Sequence, residues 1–413
     1  MLRSSYPAEP ATGRPPWVTV FGAIFVCTWT GNQFTPLLLL YQANDHYSVV
    51  TLNLLLGVYV LGLVPTMLVG GALSDRYGRR RCLIAGVLAS VAASTTLAFG
   101  ALGAADLVVG RLLSGVGVGA AAAVGTSWLK EVSQPPYDAG ADATAGARRA
   151  SVAFTLGSSL GAVVAGSIAQ WTNAGAVAPF LVHIVVTAPF AFLLARVPEP
   201  RTVTRTRIRM EADEKRQAAL LLVAFAPWLF LAAGVGYGYL PLLLDRPTEG
   251  WGLAYATLLT VVAMTIAGVV QPLARRFVVR LGRVGLAIPL AIFGAGFVLS
   301  AIADAAQSPA LGLAVNVIFG IAIGGGLLTG LLEVQRIARG HANLAQLTGA
   351  FYTAAYLGFL APVPLAQLAL YVPVSTLFAC LGGLATVASL YVFGATRGAG
   401  GTVAVPARPR HPR

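Results

Sequence analysis

The sequence predicts an all-α membrane protein: twelve transmembrane helices in two pseudo-symmetric six-helix bundles. Three observations predict it: composition, the one-sided placement of basic residues, and an internal repeat. The chain has 413 residues, of which 57% are hydrophobic and 10% charged. Its mean hydropathy is +0.76. Soluble domains carry about a quarter charged residues, so this much apolar surface needs lipid as part of its solvent.

Apolar segments of spanning length fall at 17–41, 51–73, 82–102, 107–129, 151–171 and 177–195 in the first half. In the second they fall at 218–244, 253–273, 284–303, 310–332, 347–370 and 374–393. At about 20 residues per span, each can cross the hydrocarbon. The stretch 196–217 is rich in Arg and Thr and too polar to span, so it is read as a linker. The domains expected are an N-tail (1–16), an N-terminal bundle (17–195), the linker (196–217), a C-terminal bundle (218–393) and a C-tail (394–413). The polar, proline-rich N-tail does not read as a cleavable signal.

Orientation follows from the basic residues. With the N-terminus placed in the cytoplasm, 26 of the 28 Lys and Arg fall in the tails, the linker or cytoplasmic loops. Arg246 lies in an outer loop and Arg111 inside a span. Miscounting one helix would swap the later loops and erase the bias, so the asymmetry supports the helix count and puts both termini inside. The net charge of +13 is therefore read as a positive-inside pattern and not as a nucleic-acid footprint; no basic face with interleaved aromatics is visible. Lysine is limited to Lys130 and Lys215 amid abundant Arg, Ala, Gly and Val, a composition typical of a GC-rich bacterial genome. The expected location is thus a bacterial inner membrane. Cys27, Cys82 and Cys380 match no metal spacing and are expected to be inert core thiols.

The repeat appears in two independent places. Pro36-Leu-Leu-Leu39 matches Pro241-Leu-Leu-Leu244 at an offset of 205 (241 − 36). Arg111, Gly115 and Gly119 stand at the spacing of Asn316, Gly320 and Gly324, again at 205 (316 − 111). Phe154 and Gly161 match Phe351 and Gly358 at 197 (351 − 154), the difference being absorbed by a longer first-half loop. Parallel repeats put a binding site between the halves near mid-membrane.

Between the second and third helices runs Gly71-Ala-Leu73-Ser-Asp75-Arg76-Tyr-Gly78-Arg79-Arg80. Gly71 permits close helix approach, and Gly78 a tight turn. Asp75 is expected near the start of the third helix, where a carboxylate favours the positive dipole end. The run closely resembles the loop signature of the major facilitator superfamily. That resemblance implies a latch on the inner gate in the outward-facing state. The second-half counterpart, around Pro272 to Arg283, keeps arginines and Gly282 but lacks the acid, so the first half is expected to dominate any latch.

The fourth helix carries Arg111-Leu-Leu-Ser-Gly115-Val-Gly117-Val-Gly119. A charge within a span is costly and is a functional hypothesis by default. The run resembles the superfamily's fourth-helix motif, whose arginine is associated with proton coupling; a structural arginine bonding backbone carbonyls is the other reading. Asp106, about a turn and a half earlier, is paired with Arg111 as a coupling candidate, and His183 is a lesser one. The fifth helix has Gly157, Gly161 and Gly166, but Ala162 stands where exporters of the superfamily show proline. A packing face of small residues explains it equally well.

Polar and aromatic residues within central spans nominate a binding site: Asn32, Gln33, Tyr59, Ser158, Tyr237, Asn316, Tyr352 and Tyr356. Asn32 and Gln33 lead because they are expected mid-helix beside Pro36. Amides and phenols among apolar walls suit an uncharged or weakly polar organic molecule. No acid falls clearly at mid-membrane, which disfavours organic cations. No phosphate loop, catalytic set, metal cluster or cofactor motif is present, so no enzyme is expected. The resemblance implies a secondary transporter working by alternating access as a monomer in the bilayer. Proton-linked export of small, largely apolar compounds is expected, with import of a nutrient as the alternative and a non-transporting sensor as the rival from another class.

Overall fold

The computed structural model describes residues 15–99, 103–142, 145–199, 212–338 and 344–397. Most of the N-tail, linker and C-tail expected above, and Arg339, lie outside these residues. Every regular element among the described residues is helical. Eleven helices are long and apolar enough to cross a membrane. In chain order, after α1 (Pro16–Asn32), they are α2 (Val49–Tyr77), α3 (Arg79–Ala98), α4 (Ala104–Val132), α5 (Ala145–Trp171) and α6 (Ala178–Arg196). Then come α7 (Ala212–Leu243), α8 (Gly252–Ala274), α9 (Gly282–Ala305), α10 (Pro309–Ile337), α11 (Gln346–Leu368) and α12 (Val374–Thr396).

α1 departs from the expected continuous span 17–41. It stops at Asn32 after 17 residues, and the chain resumes as a short helix, Leu38–Asp45. The cause is Pro36, which has no N–H for the carbonyl of Asn32 four residues back. That carbonyl takes the Thr35 N–H at 3.2 Å instead. Asn32 and Gln33 therefore sit at a helix end, not mid-helix. Two stretches of α7, Leu220–Phe225 and Gly234–Tyr239, and one of α4, Ala121–Gly125, are wound as π-helix.

Packing repeats with a step of six. α2 and α3 pack on α4, α5 on α1, and α6 on α3; correspondingly, α8 and α9 pack on α10, α11 on α7, and α12 on α9. The two sets meet where α5 faces α8 and α2 faces α11. Small residues make the closest crossings possible. A Cβ on Gly115 of α4 would lie 2.0 Å from the Tyr59 carbonyl oxygen of α2, so only glycine fits. The outward surface is apolar, with Val185 73% and Phe192 79% exposed, as lipid-facing side chains require. Cys27 is buried and Cys82 half-buried, but Cys380 is exposed on α12, which corrects its expected core position.

Candidate functional site

The loop motif is almost entirely helix. α2 continues through Gly71, Leu73, Asp75 and Arg76 to Tyr77, and α3 starts at Arg79. The loop is reduced to Gly78, at φ 93° and ψ 152°, a conformation open to glycine. Asp75 is thus in the last turn of α2, not at the start of α3. It lies at the negative end of a helix dipole, 53% exposed, with an Arg79 nitrogen at 4.0 Å. Arg79 forms a two-pronged pair with Glu131 of α4: Nε and Nη2 each donate to one carboxylate oxygen at 2.7 Å. Its Nη1 donates to Ser74 Oγ at 3.0 Å. Arg80 Nη2 donates to the Val197 carbonyl at 2.7 Å, and its backbone N–H to Glu199 Oε1 at 3.1 Å. Trp128 Nε1 donates to the Pro198 carbonyl at 3.1 Å. These bonds tie α2, α3, α4 and the segment after α6 into one unit; none of them reaches α7–α12.

The second set has its own version. Gly282, at φ 59°, opens α9. Arg283 pairs with Glu333 of α10 at 2.9 Å, and Arg336 meets the other oxygen at 2.5 Å. Glu333 is 3% exposed, against 34% for Glu131. The loop itself holds no acid, as its sequence reads; the acidic partner of Arg283 comes from α10.

Arg111 is 1% exposed. Its Nε donates to the Leu55 carbonyl at 3.1 Å, Nη1 to Gly31 at 3.1 Å, and Nη2 to Leu56 at 3.2 Å. Its guanidinium lies 4.8 Å from the Phe34 ring centroid and 4.7 Å from that of Tyr59. Among the described residues no carboxylate is bonded to it; Asp106, half-buried in the first turn of α4, is not among its partners. The Gly31 carbonyl is a helix-end acceptor, since Thr35 N–H is turned to Asn32. Asn316 does the same work in α10. Its Nδ2 donates to the Gly236 carbonyl at 2.9 Å and to Gly312 at 3.0 Å. Gly31 and Gly236 are themselves 205 apart (236 − 31). The repeat found in sequence thus extends to the bonding partners.

Tyr59, Tyr237 and Tyr356 are brought together where α2, α7 and α11 meet. The hydroxyls of Tyr59 and Tyr356 interact. The Phe359 ring lies 6.4 Å from both Tyr59 and Tyr237, and Phe230 stacks on Tyr356 at 4.2 Å. Tyr352, one turn before Tyr356 and half-buried, packs edge-on to Phe351 at 5.7 Å. Asn32 is half-buried and reaches Met264 Sδ of α8 at 3.3 Å. Gln33 points elsewhere. Its Nε2 donates to Ser94 Oγ at 2.9 Å, and Ser94 meets His183 Nδ1 at 2.7 Å. His183 Nε2 lies 2.9 Å from the Val26 carbonyl, which can only accept. The imidazole therefore carries its proton on Nε2 and takes the Ser94 hydroxyl proton on Nδ1. This chain holds α1, α3 and α6 together, away from the aromatic junction. Ser158 is half-buried on α5. The α5 glycines serve packing: a Cβ on Gly161 would lie 2.5 Å from the Trp29 carbonyl oxygen.

Phe34, Phe230, Phe359 and Glu199 were not legible as site residues. Phe359 stands three residues after Tyr356, one helical turn on, which was an available signal. Glu199 sits in the polar linker and had none.

The sequence matches the Major Facilitator Superfamily over residues 20–362. Among curated proteins, it is 48% identical over 66 residues to a 3-(3-hydroxy-phenyl)propionate transporter of Escherichia coli (strain K12), 15% of each chain. It is 38% identical over 146 residues to the multidrug efflux pump LfrA of Mycolicibacterium smegmatis (strain ATCC 700084 / mc(2)155). That match covers 35% of this chain, and the two relatives are matched over only 15% and 27% of their lengths. The fold is that of a peptide transporter POT solved with sulfate, at TM-score 0.74, 18% identity and 96% and 97% coverage. It is also that of the xylose transporter XylE from E. coli, at TM-score 0.66, 16% identity and 92% and 96% coverage. With a family match over most of its length and whole-chain agreement with these folds, the chain belongs to the Major Facilitator Superfamily.

Proposed function

We propose that this secondary transporter exports small, largely apolar organic compounds from a bacterial cytoplasm, driven by the proton gradient. In this reading α1 completes twelve spans, and α1–α6 and α7–α12 form two bundles that rock about a central site, with both termini cytoplasmic and the monomer as the working unit. The observation that carries it is the aromatic junction of Tyr59, Tyr237, Tyr356 and Phe359, contributed by α2, α7 and α11 and so drawn from both sets. Phenols among apolar walls accept weakly polar molecules with little desolvation cost. The duplicated anchors Arg111–Gly31 and Asn316–Gly236 support two equivalent moving units. The efflux relative supports export; the relative that transports a phenylpropionate supports an importer as the second reading.

The motif has a place in this cycle. Among the described residues Asp75 is largely exposed, and the Arg79–Glu131 pair holds only its own set. At the opposite end the sets are joined: Gln170 Nε2 donates to the Gly250 carbonyl and its Oε1 accepts from Ala254 N–H, each at 2.9 Å. That arrangement suits a conformation open at the motif end, with Asp75 engaging its latch partner on the return.

The test is transport by everted vesicles loaded with fluorescent or radiolabelled hydrophobic compounds. Accumulation should collapse when the proton gradient is abolished; indifference sinks the coupling. Asp75→Ala should cut flux at least tenfold while expression is kept, and unchanged flux sinks the gating role. Uptake by whole cells, lost on deletion, selects the importer.

A further inference from the structure

The Arg111–Gly31 anchor and its twin pose a question of charge. Both bonds fasten the fourth helix of a set to a glycine carbonyl of its first, 3.1 Å in one case and 2.9 Å in the other. Asn316 does this with a neutral amide. Scaffolding therefore does not account for a full positive charge at Arg111. Three of its five N–H groups are taken by carbonyls, leaving two. Its other neighbours are the Phe34 and Tyr59 rings. Carbonyl dipoles and ring faces lower the cost of a buried cation but leave its net charge standing. Tyr59 thus lies directly against the guanidinium, and Tyr41 lies one ring further, beyond Phe34. Tyr41 stacks on Phe34 at 5.4 Å, is 2% exposed, and its hydroxyl has no bonding partner among the described residues. A buried cation with spare donors, an unpartnered phenol one ring away, and the aromatic junction to which Tyr59 itself belongs together make an incomplete site.

We propose that the missing counter-charge is the substrate's own: Arg111 recognises the carboxylate of a small aromatic monocarboxylate, whose ring packs against Tyr59 and the α2–α7–α11 aromatics. A planar carboxylate matches the geometry of a guanidinium edge, and Tyr41 supplies a further donor. This rests on the transporter reading and names its substrate class. The neutral substrates expected from composition are then secondary, because an uncharged ligand leaves the cation uncompensated.

The experiment uses the full chain in nanodiscs, with sodium benzoate and its neutral isostere benzamide as probes, reading thermal unfolding and equilibrium binding. Benzoate should raise the unfolding midpoint in a concentration-dependent way, and benzamide at equal concentration should not. Arg111→Gln keeps a neutral donor, as at Asn316, and should weaken benzoate binding at least tenfold; Arg111→Lys should retain part of it. Equal response to both probes, response to neither, or undiminished benzoate binding by Arg111→Gln overturns the assignment. If Arg111→Gln does not fold, the contrast of benzoate with benzamide on the unaltered protein decides alone. Benzamide flux in vesicles would overturn the carboxylate site while leaving a transporter. A benzoate response that needs Arg111, without flux of any compound, would do the reverse.

Discussion

Gly78 joins two helices through one residue, its backbone conformation disfavours a side chain, and a side chain there would push the Glu199 carboxylate aside. At φ 93° an L-residue is strained, and a Cβ there would lie 2.4 Å from Glu199 Oε1. Gly78→Ala should therefore cost about 1–3 kcal/mol and displace Glu199 from the Arg80 amide. A lowered unfolding midpoint in detergent checks the first part. Faster proteolysis after α6 checks the second, and an unchanged cleavage rate would show that Glu199 is held by other contacts. Gly78 announced itself in sequence through its spacing; its partner did not, because one glutamate among several in a polar linker carries no periodicity and no motif. Asp75 illustrates the opposite error. Its neighbours Ser74 and Arg76 look like loop residues by composition, but backbone hydrogen bonds carry α2 through them to Tyr77.

Helix pairs carry the ion pairs unequally. Glu333 is nearly dry and shared by two arginines, whereas Glu131 is a third exposed. Removing one member of a buried pair strands a charge, at about 3–5 kcal/mol, while a solvated pair contributes about 1 kcal/mol or less. Glu333→Ala should therefore destabilise the protein clearly more than Glu131→Ala, by thermal unfolding of both variants side by side. Equal losses would mean that the fork geometry of Arg79 offsets its exposure. The spans themselves were legible because hydrocarbon demands long apolar runs, and eight of their pairings follow a step of six that the 205 offset foreshadowed. The break after Asn32 was legible only in part. Pro36 marked it, but whether a proline kinks or ends a helix depends on what bonds the freed carbonyl, and that is tertiary.

At the scale of the molecule, the α5–α8 contact through Gln170 and the α2–α11 contact join the two sets, and rocking of the sets would have to break the Gln170 contact. Gln170→Cys with Ala254→Cys, bridged by a short bis-maleimide, should hold the non-motif end shut and abolish flux, with recovery when a reducible linker is cleaved. Persistent flux in the bridged protein would exclude rocking at that contact. Inter-set contacts such as Asn32–Met264 and Tyr59–Tyr356 could not be read from sequence, since the packing of helices far apart in the chain leaves no local pattern. The unmatched charge of Arg111 has a consequence of another kind. A fixed positive charge inside a moving bundle is a gating charge: the membrane voltage does work on it, about 2.3 kcal/mol per charge per 100 mV over the full field. An anion bound beside it cancels that work. The empty carrier should thus reorient at a voltage-dependent rate, and the loaded carrier should be electrically silent, a difference that capacitive currents on a supported membrane would register directly.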